Sequence, residues 1–513
     1  MSETSQANNK RIAKNTLMLY VRMLFSMAVS LYTSRVVLQV LGVSDYGVYS
    51  VVGGVVGMLG FLNATMSGAT SRFLTYELGR GDKERLSQTF NAALIVHIGI
   101  ALFVFVVAET LGLWFVYHKL VIPEGRMTAA VWVYQLSIAS SLLGITQVPY
   151  NASIISHEKM DVYAYVEIIH VILKLLIVYL LLIGNFDKLL LYAVLIFIVS
   201  LFILFVYRVY AIRNFPECHF QLKLDRNILK TMLSFSGWEM LGHFGFTFRY
   251  QGTNIVLNMF FGTIINAAVG IASTIQGVLL GFSNNILMAI KPQIVKRYST
   301  DNVDSMVNLV NSAIRINFFL MFLICIPFII EMPIIIDTWL GSTPDYCVVF
   351  AQISLLSNIL SSYSTVIYSS IQATGRLRRT SINRIVIYIS TPIVLYCLFK
   401  SGVKIPEIAF WGLFIGQFLQ SILDIHVLVK EINLFKKGVF LIELLKAIVI
   451  LIIVLGCTWS LRNMFPPSFY RLISTFFLSS ILIVITFYVF IFKNAEKQYI
   501  KTIFISLYDR IHS

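Results

Sequence analysis

Three ionisable side chains share one face of an otherwise apolar stretch: Glu167, His170 and Lys174, at i, i+3 and i+7. A carboxylate, an imidazole and an ammonium so placed can line a wet cavity, relay a proton, or neutralise one another between helices. A second set, Glu239 and His243 at i and i+4, is followed by Arg249 and Tyr250. Arg22 stands deep in the first apolar stretch. A cation at mid-bilayer costs about 2.5–3.5 kcal/mol on insertion scales, so such residues face a bundle interior or a water-filled cavity. Arg22, Lys174, Arg249, His243, Glu239, Glu167 and His170 are therefore candidate cavity residues in contact with a substrate. Arg35, Arg315 and Lys446 lie nearer the ends of their stretches, where a long cation can reach the interface. Gln417, Gln420 and Asp424 form another polar stripe, expected to be solvated at a helix end.

The elements that must position these groups are apolar. About fourteen stretches follow one another, at 16–40, 46–70, 90–117, 129–150, 164–183, 189–210, 231–260, 264–290, 307–330, 347–372, 383–400, 406–430, 440–460 and 471–492. A bilayer-spanning helix needs about 20 residues. The chain is 58% hydrophobic and 13% charged, about half the charged share of a soluble chain. No segment between the stretches is long enough for a soluble domain, so the chemistry takes place within a membrane. The stretches 46–70 and 264–290 are rich in Gly, Ser and Asn, which suits close packing or a wet cavity. Asn63, Asn266, Gln276, Asn284 and Asn285 belong to these.

The net charge of +15 raises a nucleic-acid reading, which fails because there is no basic, aromatic-rich soluble module to carry it. Most of the charge is topological. With the N-terminus inside, the inward segments hold 27 Lys and Arg, whereas the outward segments hold only Lys119, Arg126, Lys188, Lys400, Lys404, Arg462 and Arg471. The positive-inside rule then puts both termini in the cytoplasm and makes the span count even. Some of this charge also attracts anionic lipid. The apolar run after the basic N-terminus lacks an A-x-A site and reads as a retained first helix. Five scattered cysteines, Cys218, Cys325, Cys347, Cys397 and Cys457, form neither a metal spacing nor a disulfide framework.

The chain repeats itself. At an offset of 220, Gly42 meets Gly262, Asp82 meets Asn302, Asn91 meets Asn311 and Ala93 meets Ala313. At 218, Tyr150 meets Tyr368. An offset of six spans preserves orientation, so the repeat is parallel, about an axis along the membrane normal. The expected fold is an all-α polytopic membrane protein: a lobe of six spans (1–210), a second lobe of six (211–430), and two further spans with a tail (431–513). No Walker A loop, G-x-S-x-G or H-E-x-x-H is present. The short outward loops carry no paired carboxylates for glycosyl transfer. No catalytic set, metal or cofactor is called for, and the expected class is not an enzyme. Without an ATP site, an ion gradient (H+ or Na+) or substrate asymmetry must be the driver.

The opening RIAKNTLMLYVRMLFSMAVSLYTSRVVLQVLGVSDYGVYSVVGGVVGML, with its G-x-x-x-Y-G element at Gly42 to Gly47, resembles Wzx-type polysaccharide and O-antigen flippases. These are members of the multidrug/oligosaccharidyl-lipid/polysaccharide superfamily. QATGRLRRTSINRI (372–385) is similar to the inside loop after the tenth span of that group. The resemblance covers essentially the whole chain, including the 6+6+2 layout. It implies a MATE-like pair of lobes around an alternately open cavity in the bacterial inner membrane. It implies as cargo a polyprenyl-pyrophosphate-linked oligosaccharide for capsule or lipopolysaccharide, with polysaccharide assembly proteins as partners. Drug-exporting relatives typically carry an acidic residue in the first helix. Here that helix carries Arg22 and Arg35 instead, which favours an anionic cargo. The chain also resembles the peptidoglycan-precursor flippases, which share cationic cavities. An ion-coupled antiporter of small cations and a membrane polymerase or ligase are the alternative readings.

Overall fold

The computed structural model describes residues 3–58, 70, 73–74, 77–78, 81–157, 159–183, 186–221, 226–299, 302–341, 343–494 and 496–497. Within these, the side chains of 3–24, 160, 163–164, 226–227, 231–241, 288–289, 292–293, 295–296, 299 and 461 lie outside the description. An apolar segment satisfies its backbone internally only as a helix or a closed barrel. The described residues take the helical solution throughout, with no strand.

Thirteen long helices result. They are α1 (Glu3–Gly57), α2 (Lys83–His118), α3 (Met127–Ser156), α4 (Met160–Leu180), α5 (Lys188–Asn214), α6 (Arg226–Phe261) and α7 (Thr263–Ser299). The series continues with α8 (Val303–Leu340), α9 (Cys347–Thr374), α10 (Arg378–Lys400), α11 (Glu407–Glu431), α12 (Lys437–Arg462) and α13 (Phe469–Phe490). Eleven helices of the described residues are long and apolar enough to cross a membrane. The first two expected stretches fall together in α1, which breaks at Gly42 (φ 77°, ψ 166°). That positive φ is one only glycine adopts freely. The remainder of the stretch 46–70, with Asn63, lies outside the described residues.

The repeat is visible in the helix boundaries. Gly262, the partner of Gly42, has φ 78°. Lys83 and Val303, and Met127 and Cys347, begin helices 220 residues apart; Met160 and Arg378 do so 218 apart. Asp82 caps α2 by accepting from Arg85 N, and its counterpart Asn302 caps α8 by accepting from Ser305 N, at 3.0 and 3.3 Å. A π-helical segment, Ala108–Gly112, interrupts α2. Tyr134 reaches into it from α3 and donates its hydroxyl to the Ala108 carbonyl at 2.8 Å. A Cβ at Gly112 would lie 2.1 Å from that phenol oxygen.

By Cα packing the chain divides into two units, Met1–Thr274 with Arg384–Ala409, and Ile275–Asn383 with Phe410–Ser513. In the first, Arg126 joins three segments at one end of the helices. Its Nη2 and Nε meet the two oxygens of Asp45, and Nη1 lies 2.6 Å from Asp187 Oδ2. The hydrogen bond to Asp187 chiefly raises the Arg126 guanidinium above its ordinary value, and the same bond holds Asp187 below the ordinary carboxylate value. A buried asparagine set continues the seam. Asn258 pairs with the Val121 backbone through both N–H (2.8 Å) and C=O (3.2 Å), and Asn266 bonds Asn258 and Asn254 at 2.8 and 2.7 Å. Small residues let helices approach without a hydrophobic drive between them. A Cβ at Gly47 would sit 2.0 Å from the Thr263 carbonyl oxygen.

In the second unit, α8 bends where Glu331 leaves helical geometry (φ −99°, ψ 15°), between Pro327 and Pro333. Glu331 is fully buried. It takes hydrogen bonds from Arg471 Nη2 at 3.0 Å and Thr475 Oγ1 at 2.9 Å, with Arg462 Nε at 3.6 Å. The two arginines read as loop cations are thus bound into the helix bundle. Arg315 also departs from expectation. It does not reach for an interface but is buried, with Nη1 3.0 Å from Glu443 Oε1 and Nη2 2.5 Å from Glu496 Oε1. Asp424 is likewise buried and not solvated: Thr380 Oγ1 and Gln420 Nε2 donate to it at 2.6 and 2.9 Å. Lys446 does stay exposed, donating to the Phe490 carbonyl at 3.2 Å. Cys218, Cys325 and Cys347 are buried and free, while Cys397 and Cys457 are free at the surface.

Candidate functional site: a polar cavity in the first unit

The face of α4 that carries Glu167, His170 and Lys174 opens onto a cavity of about 420 Å³. A polar stripe at i, i+3, i+7 on an otherwise apolar helix must face a wet space or a partner, and here it faces the cavity. Lys174 is exposed to it, and Glu167 and His170 are half-buried. His170 Nδ1 lies 4.0 Å from Glu167 Oε2, and the Glu167 carboxylate acts electrostatically on the Lys174 ammonium.

The opposite wall comes from α1. Ser26, Ser30, Thr33 and Ser34 line the cavity at i, i+4, i+7 and i+8, one hydroxyl stripe. Ser34 bonds back to the Ser30 carbonyl at 2.9 Å, which satisfies the hydroxyl hydrogen within the helix and leaves its lone pairs available. The Thr33 hydroxyl is buried without a partner among the described residues. Tyr46 and Tyr49, beyond the Gly42 break, and Tyr192 of α5 supply the aromatic wall. Tyr49 and Tyr192 meet edge to face, centroids 4.9 Å apart, with their phenols hydrogen-bonded. Among the described lining residues Glu167 and Lys174 carry the full charges, one of each sign.

The other expected residues fall elsewhere. Arg249 has no exposed surface. Its guanidinium lies over the rings of Tyr388, Tyr250 and Phe246, at 4.3, 4.7 and 5.8 Å, and donates to the Tyr250 phenol at 3.0 Å. It does not belong to the lining of this cavity. His243 is half-buried on the same helix, α6. The side chains of Arg22 and Glu239 lie outside the described residues. The structure thus unites the three residues of the fifth apolar stretch. The hydroxyl stripe and the tyrosines were missed by the sequence reading. Their signal was present as Ser and Thr at helical spacing within an apolar run. No group of three or more His, Cys, Asp or Glu among the described residues is placed to hold a metal.

No protein-family profile and no curated relative matches the chain. Solved structures do. The lipid II flippase MurJ in an inward closed conformation is similar over 92% of this chain and 98% of its own, with TM-score 0.66 and 12% identity. An inward-facing multidrug resistance MATE family transporter of the MOP superfamily is similar over 80% of this chain and 96% of its own, with TM-score 0.62 and 14% identity. A MOP superfamily transporter from Pyrococcus furiosus gives TM-score 0.55 and 14% identity over 82% of this chain and 96% of its own. At these identities it is the fold that is shared: the chain is a multi-pass, all-α membrane protein with a MATE-like architecture.

Proposed function

We propose that the protein is a transporter that flips a polyprenyl-pyrophosphate-linked oligosaccharide across the bacterial inner membrane by alternating access. Both termini lie in the cytoplasm in this reading, and the product enters capsule or lipopolysaccharide assembly. The observation that carries it is the cavity itself: a wet, hydroxyl-rich recess holding Lys174, inside a fold shared with a lipid II flippase. Sugars need hydrogen-bonding walls, a pyrophosphate in low dielectric needs cations, and a polyprenyl tail can stay in lipid. Lys174, Glu167 and His170 contact the cargo directly. Arg22 and Arg249, with Glu239 and His243, belong to the same pathway in this reading, and Arg249 acts through the tyrosines that enclose it. The test is whether cells lacking the protein retain lipid-linked repeat units on the cytoplasmic face, and whether Lys174→Gln fails to restore export at normal membrane abundance. Full export with Lys174→Gln removes Lys174 from the pathway. Repeat units reaching the outer face without the protein refute the reading.

One observation favours the runner-up, an ion-coupled antiporter of small cations. Glu167 puts a carboxylate on the cavity wall, and MATE transporters share the fold. Drug susceptibility of the deletion strain separates the two, since only an antiporter changes it.

A further inference from the structure

Where α8, α12 and α13 meet in the second unit, two arginines share one carboxylate. Glu331 Oε2 lies 3.0 Å from Arg471 Nη2 and 3.6 Å from Arg462 Nε. Among the described residues neither arginine has a second acidic partner. The side chains outside the description in the adjoining segments, Ser342 and Leu461, carry no charge. The two arginines differ in what they have left to offer. Arg471 is committed to the protein, since its Nη1 also donates to the Phe465 carbonyl at 3.3 Å. Arg462 is not. Its guanidinium lies over the Trp459 ring at 4.8 Å and its Nε is enclosed, but its Nη edge reaches the surface with no acceptor among the described residues. That edge carries four N–H donors in a plane, the fork that matches a phosphate.

The surroundings are those of a membrane interface. Both α12 and α13 are long and apolar enough to cross a bilayer, so the turn between them lies at its surface. Trp459, Phe465 and Phe469 are exposed in and beside this turn, like the aromatic belt of a membrane protein. From there α13 turns Tyr470, Ile473, Phe477, Ile481 and Val484 outward, at spacings of three and four, while Arg471, Thr475, Ser479, Ile483 and Phe487 face inward. A phosphate-matching cation thus stands at the head of an apolar track that runs the length of a helix. An amphiphile with a phosphate head and long chains fits both parts; a soluble anion fits only the first.

We propose that Arg462 holds the phosphate of an anionic glycerophospholipid whose acyl chains lie along α13. Glu331 engages Arg462 from its Nε side and so turns the Nη edge outward. Two guanidiniums against one carboxylate favour a head group with net negative charge, because a zwitterionic head brings its own cation.

The experiment uses the full-length protein in phosphatidylcholine nanodiscs, with tryptophan fluorescence as the readout. The probes are phosphatidylglycerol and phosphatidylethanolamine brominated on their acyl chains. At equal mole fraction phosphatidylglycerol should quench the wild type more, and this excess should vanish in Trp459→Phe, which removes the reporter beside Arg462. Arg462→Gln should weaken the phosphatidylglycerol response about fivefold, the effect of one basic residue at an anionic surface, and leave the phosphatidylethanolamine response unchanged. Arg462→Lys keeps the charge without the fork and should fall between. Equal quenching of the wild type by the two lipids overturns the site, as does an excess that persists in Trp459→Phe or in Arg462→Gln. If Arg462→Gln does not fold, the comparison of wild type with Trp459→Phe decides alone. Displacement of phosphatidylglycerol by an equimolar amount of unlabelled polyprenyl pyrophosphate would assign the fork to a lipid-linked cargo and overturn the phospholipid.

Discussion

Glu331 of α8 and Arg471 of α13 are joined at 3.0 Å inside the second unit. Nearer the start of α8 the polarity reverses: Arg315 is held by Glu443 of α12 at 3.0 Å and by Glu496 beyond α13. The last two helices and the residues after them are thus tied to α8 at two places. In one, α8 gives the anion, and in the other the cation. Hydrophobic matching alone does not specify register between helices in lipid, because lipid is as apolar as the side chains. Two charge pairs of opposite sense do, since sliding or inverting the hairpin would bring like charges together.

Breaking a buried pair by removing one partner costs about 3–5 kcal/mol, because a charge is left unmatched. Arg471→Leu should therefore lower thermal stability in detergent. Glu331→Leu should lower it further, since it strands both Arg471 and Arg462. Melting followed by size-exclusion fluorescence checks the order, and an unchanged midpoint for either variant would refute the clamp.

Two glycines in α1 provide a matched contrast. A Cβ at Gly47 meets the Thr263 carbonyl at 2.0 Å, whereas one at Gly53 meets nothing within 4 Å. Gly47→Ala should sharply reduce folded protein. Gly53→Ala should be neutral or stabilising by roughly 0.5–1 kcal/mol, through helix propensity. Comparable yields for the two would show that the close approach is not needed.

The Arg126 junction predicts a pH effect with a definite sign. Asp187 titrates lower in the folded protein than its ordinary value of 3.8. Its stabilisation is therefore complete above the unfolded value and is lost as pH falls through the lower folded value. Thermal midpoints of wild type and Arg126→Gln should differ by a constant amount at neutral pH and converge below about pH 4. The difference is modest, because Asp187 is 36% exposed and solvent screens the pair. A gap that widens on acidification would contradict this.

Arg249→Gln should lose folded protein before it loses transport. The guanidinium is buried among three rings, and desolvated cation–π contacts are worth about 2 kcal/mol or more. Arg249→Lys should recover part of the yield. A well-folded Arg249→Gln that transports poorly would instead make the guanidinium a contact of the cargo.

The helical class, the run of spans and the repeat were legible in the sequence because each rests on a local or periodic property. Apolar length dictates helices, and Gly42 and Gly262 mark the same turn twice. The stripe Glu167, His170, Lys174 was legible too, since helix periodicity alone puts the three on one face. What lay across from it was not. The hydroxyls of Ser26, Ser30, Thr33 and Ser34 are weakly polar and read as tolerable helix packing, until the cavity shows which way they face. Arg315 and Asp424 were misread for a related reason. Distance from a helix end does not reveal a partner, and their partners, Glu443, Glu496 and Thr380, are between 44 and 181 residues away.

By itself the sequence determined that this chain lives in a bilayer, as helices, with a repeat whose helix starts recur about 220 residues apart. The bilayer leaves a hydrophobic chain few other ways to satisfy its backbone. Only the tertiary structure decided which costly polar groups face a cavity and which face each other. A buried charge is stabilised by whatever lies within a few ångströms of it, and that neighbourhood is assembled from segments far apart in the chain.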